Sequence, residues 1–156
     1  MKRKRVALAT GLIMLGLITQ LGHAVQVNFH GGLVEALPCT ISNGELIEVD
    51  FGDNLVIRNL NGVNYSKPVP YQIDCSAAGI VRMSIQGTAT SFDDAAIQTN
   101  IPGLGIHMEL TDGSPFYLNT FISQIPPIQA VPVADPAQPP NPGAFTARAT
   151  LLAEYQ

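Results

Sequence analysis

At 156 residues, with eight basic and twelve acidic side chains and a formal net charge of −4, the chain is sized for one modest domain. It lacks the basic excess of a nucleic-acid binder. Half of the basic residues, Lys2, Arg3, Lys4 and Arg5, are clustered at the start, so the remainder is strongly acidic and repels phosphate backbones and anionic lipid surfaces.

Those four charges precede an uncharged apolar run over residues 6–17, and Gly22-His23-Ala24 then places small residues at the −3 and −1 positions of a cleavage site. This layout predicts a bacterial secretory signal peptide, residues 1–24, cut after Ala24. An uncleaved anchor is the competing reading, but the apolar run is short for a membrane span. Removing 24 of the 156 residues leaves 132, one domain with room for a core. Arg58, Lys67, Arg82 and Arg148 then face all twelve acids, a net charge of −8. No later segment is long and apolar enough to cross a bilayer, so no membrane insertion is expected after cleavage. The only cysteines are Cys39 and Cys75. An even pair in an exported chain reads as a disulfide. A metal or redox pair is the alternative, but there is no CxxC spacing, and past the signal peptide only His30 and His107 remain.

Along the exported chain, residues 25–33 alternate. Val25, Val27, Phe29, Gly31 and Leu33 fall on one side, and Gln26, Asn28, His30, Gly32 and Val34 continue the other. The segment reads as an extended strand with a glycine pair inside it, which either weakens the strand or marks a place where another backbone must come close. After Pro38, Cys39-Thr40-Ile41 leads to the turn-like Ser42-Asn43-Gly44. Residues 45–51 alternate again, with Ile47, Val49 and Phe51 against Glu48 and Asp50. Residues 68–75 place Val69, Tyr71, Ile73 and Cys75 on one face. Strands follow at 80–86 and 104–110, the second ending in Thr111-Asp112-Gly113, a hairpin turn into 116–121. Residues 126–142 carry seven prolines. They read as an edge strand at 128–133 and a stiff loop rather than a polyproline ligand. The last strand places Phe145, Ala147, Ala149, Leu151, Ala153 and Tyr155 on one face after Gly143. About seven short strands, an inter-strand disulfide and no helical period predict an all-β sandwich of immunoglobulin-like type.

Catalytic chemistry is not announced. His107 sits on the polar face of its strand near Glu109, and His30 lies in the first strand, far along the chain from any acid cluster. Asp93-Asp94 and Asp50/Asp53 lie in turn-like surroundings and read as solvated pairs. No phosphate loop, nucleophile elbow or zinc spacing is present. The expectation is no enzyme, no metal and no cofactor.

The two ends together carry a resemblance. Val25-Gln26-Val27-Asn28-Phe29-His30-Gly31-Gly32-Leu33, followed by Pro38-Cys39-Thr40-Ile41, resembles the mature N-terminus of chaperone–usher pilins. These are the subunits of type 1 and P pili of Gram-negative bacteria. Ile47-Glu48-Val49-Asp50-Phe51-Gly52, the second cysteine, Gly143 fourteenth from the end and the penultimate Tyr155 fit the same pattern. Within the family the chain is most similar to minor tip adaptor subunits. The dense prolines before the last strand depart from it.

The resemblance implies a fold, partners and a mechanism. The fold is an incomplete immunoglobulin-like sandwich, six-stranded and lacking strand G, with residues 25–37 as a donor-strand extension and 38–156 as the pilin domain. Gly143, Phe145, Ala147, Ala149, Leu151, Ala153, Tyr155 and Gln156 form the strand F wall of a groove. A periplasmic chaperone fills this groove and anchors the carboxylate of Gln156. At the outer-membrane usher, the N-terminal extension of the next subunit displaces the chaperone strand, and neighbouring pilin subunits or a tip adhesin are the expected partners. This chain's own donor set is Val25, Val27, Phe29, Gly31 and Leu33. The expected role is a structural pilus adaptor that contributes to bacterial adhesion. A self-standing secreted lectin-like domain, or a periplasmic hydrolase with a spatially assembled site, is the alternative.

Overall fold

The computed structural model describes residues 26–32, 39–76 and 79–155. The expected signal peptide, Val25, Leu33, Pro38 and Gln156 lie outside the described residues. The chain divides into two units, Met1–Val34 and Glu35–Gln156. In the first, residues 26–32 join no ladder, and Val27 and Phe29 are 66% and 93% exposed.

The second unit is all β. Its strands are β1 (Cys39–Ile41), β2 (Lys67–Pro68), β3 (Ile73–Cys75), β4 (Val81–Gln86), β5 (Ala96–Gln98), β6 (Leu104–Leu110), β7 (Ile128–Ala134) and β8 (Thr150–Tyr155). Two single 3-10 turns, Ser42–Gly44 and Ile57–Asn59, are the only helical residues among those described. All strand pairs are antiparallel. One sheet runs β2-β7-β6-β5, β4 pairs with β8, and β1 pairs with β3. Ile106 and Met108 of β6 and Ile128 and Ala130 of β7 meet Met83 and Ile85 of β4 in one core, with Phe116 and Leu118. The alternating pattern of residues 104–110 is realised as β6, and the turn after it closes with the Gly113 N–H donating to the Leu110 carbonyl at 2.9 Å.

Several expected strands come out differently: the last is regular strand only over Thr150–Tyr155, residues 45–51 join no ladder, and three others differ for a backbone reason. Residues 68–75 split between two sheets, β2 pairing with β7 and β3 with β1. Pro68 and Pro70 lack the N–H groups that a continuous ladder needs. Tyr71 lies in the break, and its hydroxyl donates to the Pro126 carbonyl. Burial raises the pKa of that hydroxyl and keeps it a neutral donor. Residues 116–121 leave β6 after the Phe116 N–H donates to the Met108 carbonyl, and cross to β4, where Met83 and Ile122 exchange N–H···O bonds of 2.8 and 2.9 Å. The crossing turns at Asn119 with φ of 58°. The expected edge strand at 128–133 is instead an inner strand, β7, between β2 and β6. Pro132 is tolerated there because its missing N–H falls on the β2 side. It sits past the Lys67–Ala130 pair and just before the isolated Asn61–Val133 bridge, beside which the Ala134 N–H donates to the Leu60 carbonyl.

Cys39 and Cys75 face each other across the β1–β3 ladder and are bonded as a disulfide, 36 residues apart in sequence. Replacing both by serine is expected to lower stability by about 4 kcal/mol on the loop-entropy model, read as a fall in the urea midpoint with unchanged slope.

Candidate functional site: an open apolar cleft

A cleft of about 1020 Å³ is floored by Ile85, Ile97, Ile106, Met108, Ile128 and Ala130. These are core side chains of β4, β5, β6 and β7, reached here from one side of the sandwich. One wall is residues 145–153 and the other is residues 45–51. Phe145, Ala147, Leu151 and Ala153 are half-buried and face inward, while Thr146, Arg148, Thr150 and Leu152 stand exposed on the rim. On the opposite wall Ile47, Val49 and Phe51 are half-buried, and Leu46, Glu48 and Asp50 are exposed. The period of two expected for both segments is present in their burial except at Ala149, which is exposed.

Their pairing is what differs. The first wall is laddered to β4 through β8, with an added bridge from Ala147 to Thr99. No strand pairs with its cleft-facing edge among the described residues. Residues 45–51 alternate as a strand would, yet join no ladder at all. The walls close together at one end, where the Phe51 and Phe145 rings lie 6.1 Å apart. At the other end β1 runs alongside β8 without pairing to it. The walls thus run in opposite directions with an unfilled lane between them. At about 3.3 Å per residue, residues 145–153 give a lane roughly 26 Å long.

Beyond the ring pair a smaller cleft of about 560 Å³ is lined by Pro140, Pro142, Leu55 and Ile101 among others. The proline-rich run reaches it past Gly103, whose φ is +80° and where a Cβ would come 2.0 Å from the Gln138 carbonyl oxygen. Only glycine allows that approach.

The far end of β8 is fixed from outside. The Arg82 Nε donates to Glu154 Oε1 at 2.7 Å, directly across the β4–β8 ladder, and its guanidinium lies 4.3 Å from the centroid of the Phe121 ring. Replacing Arg82 by alanine is expected to speed amide exchange in residues 151–155 several-fold while leaving β6 protection unchanged, measured by hydrogen–deuterium exchange.

The predicted site residues from Phe145 to Ala153 are brought together here, with Gly143 at the smaller cleft. The donor set belongs to the other unit. The second wall and the floor were not foreseen as site residues. Only the alternation of residues 45–51 signalled the wall, and it does not say that a ladder partner is missing. Asp93 departs from its expected solvated state. Its Oδ2 lies 2.6 Å from His107 Nδ1, and its Oδ1 accepts the Ala95 N–H at 2.9 Å. The pair ties the loop before β5 to β6, and the Thr90 hydroxyl is engaged by the Asp93 backbone in the same loop. Among the described residues, no three His, Cys, Asp or Glu side chains gather to hold a metal ion.

Comparison with known proteins gives this geometry a context. The fimbrial protein family profile matches residues 27–156. The uncharacterized fimbrial-like protein YfcQ of Escherichia coli (strain K12) is 37% identical over 161 residues, covering 94% of this chain and 98% of YfcQ. Among solved structures, the P pilus adaptor subunit PapF superposes with a TM-score of 0.60 at 24% identity, over 78% of this chain and 98% of PapF. The P pilus rod subunit PapA gives 0.59 at 22%, over 84% of this chain and all 100% of PapA. At those identities the likeness speaks for the fold alone.

Proposed function

The chain belongs to the fimbrial protein family, the structural, non-enzymatic subunits of chaperone–usher pili at the cell surface, and we propose that it serves there as a minor adaptor joined to its neighbours by donor-strand exchange. It shares the immunoglobulin-like fold of pilus subunits. On this reading the sandwich has six conventional strands and lacks strand G. The vacant lane between residues 45–51 and 145–153 is where that strand belongs, and this open cleft is the observation that carries the reading.

An adaptor must accept one strand and lend another. The cleft accepts. Residues 25–33 lend, with Val25, Val27, Phe29 and Leu33 as apolar anchors and Gly31 where the donor backbone lies close over the acceptor core. The exposure of Val27 and Phe29 on a segment without ladder partners supports this role. Nine residues suit the length of the lane. Four apolar side chains at 1.5–3 kcal/mol each supply about 6–12 kcal/mol before main-chain bonds are counted. Before assembly a periplasmic chaperone lends the missing strand and holds the carboxylate of Gln156. At the outer-membrane usher the extension of the next subunit takes over.

Expressed without partners, the exported domain is expected to be unstable or self-associated, because an apolar floor and an open strand edge are both uncovered. A synthetic pilin-extension peptide should rescue it as a soluble monomer, measured by light scattering and thermal melting. A stable monomer indifferent to the peptide would overturn the reading and favour a self-standing binding domain. Gly31→Arg should block capture of this subunit's extension by its neighbour while leaving chaperone copurification intact. Immunogold labelling tests the adaptor role: label confined to pilus tips supports it, and label along the shaft refutes it.

A further inference from the structure

We propose that Glu48 and Arg148, on the solvent rim of the cleft, select a donor strand whose outward side chain at their level is neutral and dipolar, a carboxamide or an imidazole. This builds on the strand-accepting reading above and concerns the face the donor leaves in solvent rather than the face it buries.

The ring pair Phe51–Phe145 fixes the level. The walls run in opposite directions, so three residues back along one and three forward along the other reach Glu48 and Arg148. Inward positions on both walls are odd-numbered, which turns both of these side chains outward, and both are exposed. Neither forms an ion pair or hydrogen bond with another described residue. A strand entering the lane lies about 4.8 Å from each wall, so its outward side chain at this level becomes a cross-strand neighbour of both charges.

A carboxylate in that position is drawn to Arg148 and repelled by Glu48, and an ammonium group meets the reverse. A carboxamide satisfies both, giving its N–H to the Glu48 carboxylate and its carbonyl oxygen to the Arg148 guanidinium. A neutral imidazole does the same with its two nitrogens. The outward set on this chain's own extension, Gln26, Asn28 and His30, is of this class. The occupant that the rim fits is therefore a strand of the same kind from a neighbouring fimbrial subunit.

The test uses the exported protein purified from periplasm and a fluorescent peptide of the sequence of residues 25–33, with each outward position replaced in turn by alanine, aspartate or lysine. At one outward position both charged replacements should weaken binding about three- to fivefold, with the difference shrinking at high salt. In Glu48→Lys the aspartate peptide should become the tightest binder, and in Arg148→Glu the lysine peptide should. Both substitutions are at exposed positions and spare the core. Unchanged peptide ranking in these variants overturns the rim proposal while leaving the cleft reading intact. Failure of every peptide to bind overturns both.

Discussion

A strand that borders an apolar core but is laddered on one side only sets the terms for the whole molecule. β8 and the residues before it hold one wall of the sandwich through β4 and Thr99, and nothing described pairs with their other edge. Backbone polar groups need partners, and so does the apolar floor below them. An ordinary sandwich meets both needs with a further strand of its own chain. Here, among the described residues, an open lane lies between two walls with no strand in it.

Keeping two walls apart without the strand between them requires fastenings elsewhere. The disulfide ties β1 to β3 at one end of the lane, and the Phe51–Phe145 ring pair closes the other. Arg82 holds the end of β8 through Glu154 and lies over Phe121. The Arg82–Glu154 contact is outside the lane and need not be broken for a strand to enter, whereas Cys39 and the two rings line the cleft itself. A site held ready in this way avoids part of the ordering cost of binding.

Much of the fold could be read from the order of residues, and what could not was long-range. β6 and its turn were legible because seven alternating residues and a glycine turn specify a strand and its end locally. The burial alternation of residues 45–51 was also legible, whereas their lack of a partner was not, since periodicity reports faces and never neighbours. The split of residues 67–75 between two sheets is written in Pro68 and Pro70, but which sheets receive the halves is settled by packing. The floor of the cleft comes from four strands spread between Ile85 and Ala130, and no local pattern joins them. The same holds for Asp93 and His107, fourteen residues apart and bonded.

The placement of Pro132 has a wider consequence. On the β2 side of β7, beyond the two residues of β2, the backbone offers a buried proline in place of a donor, and Leu60 and Asn61 pair with the residues after it. A flank interrupted in this way is a poor template for a foreign strand. Among the described residues this flank is closed to a foreign strand, whereas the cleft-facing edge of β8 is left sticky. Building blocks with a single sticky seam string into a thread, where blocks with two would knit into a mat.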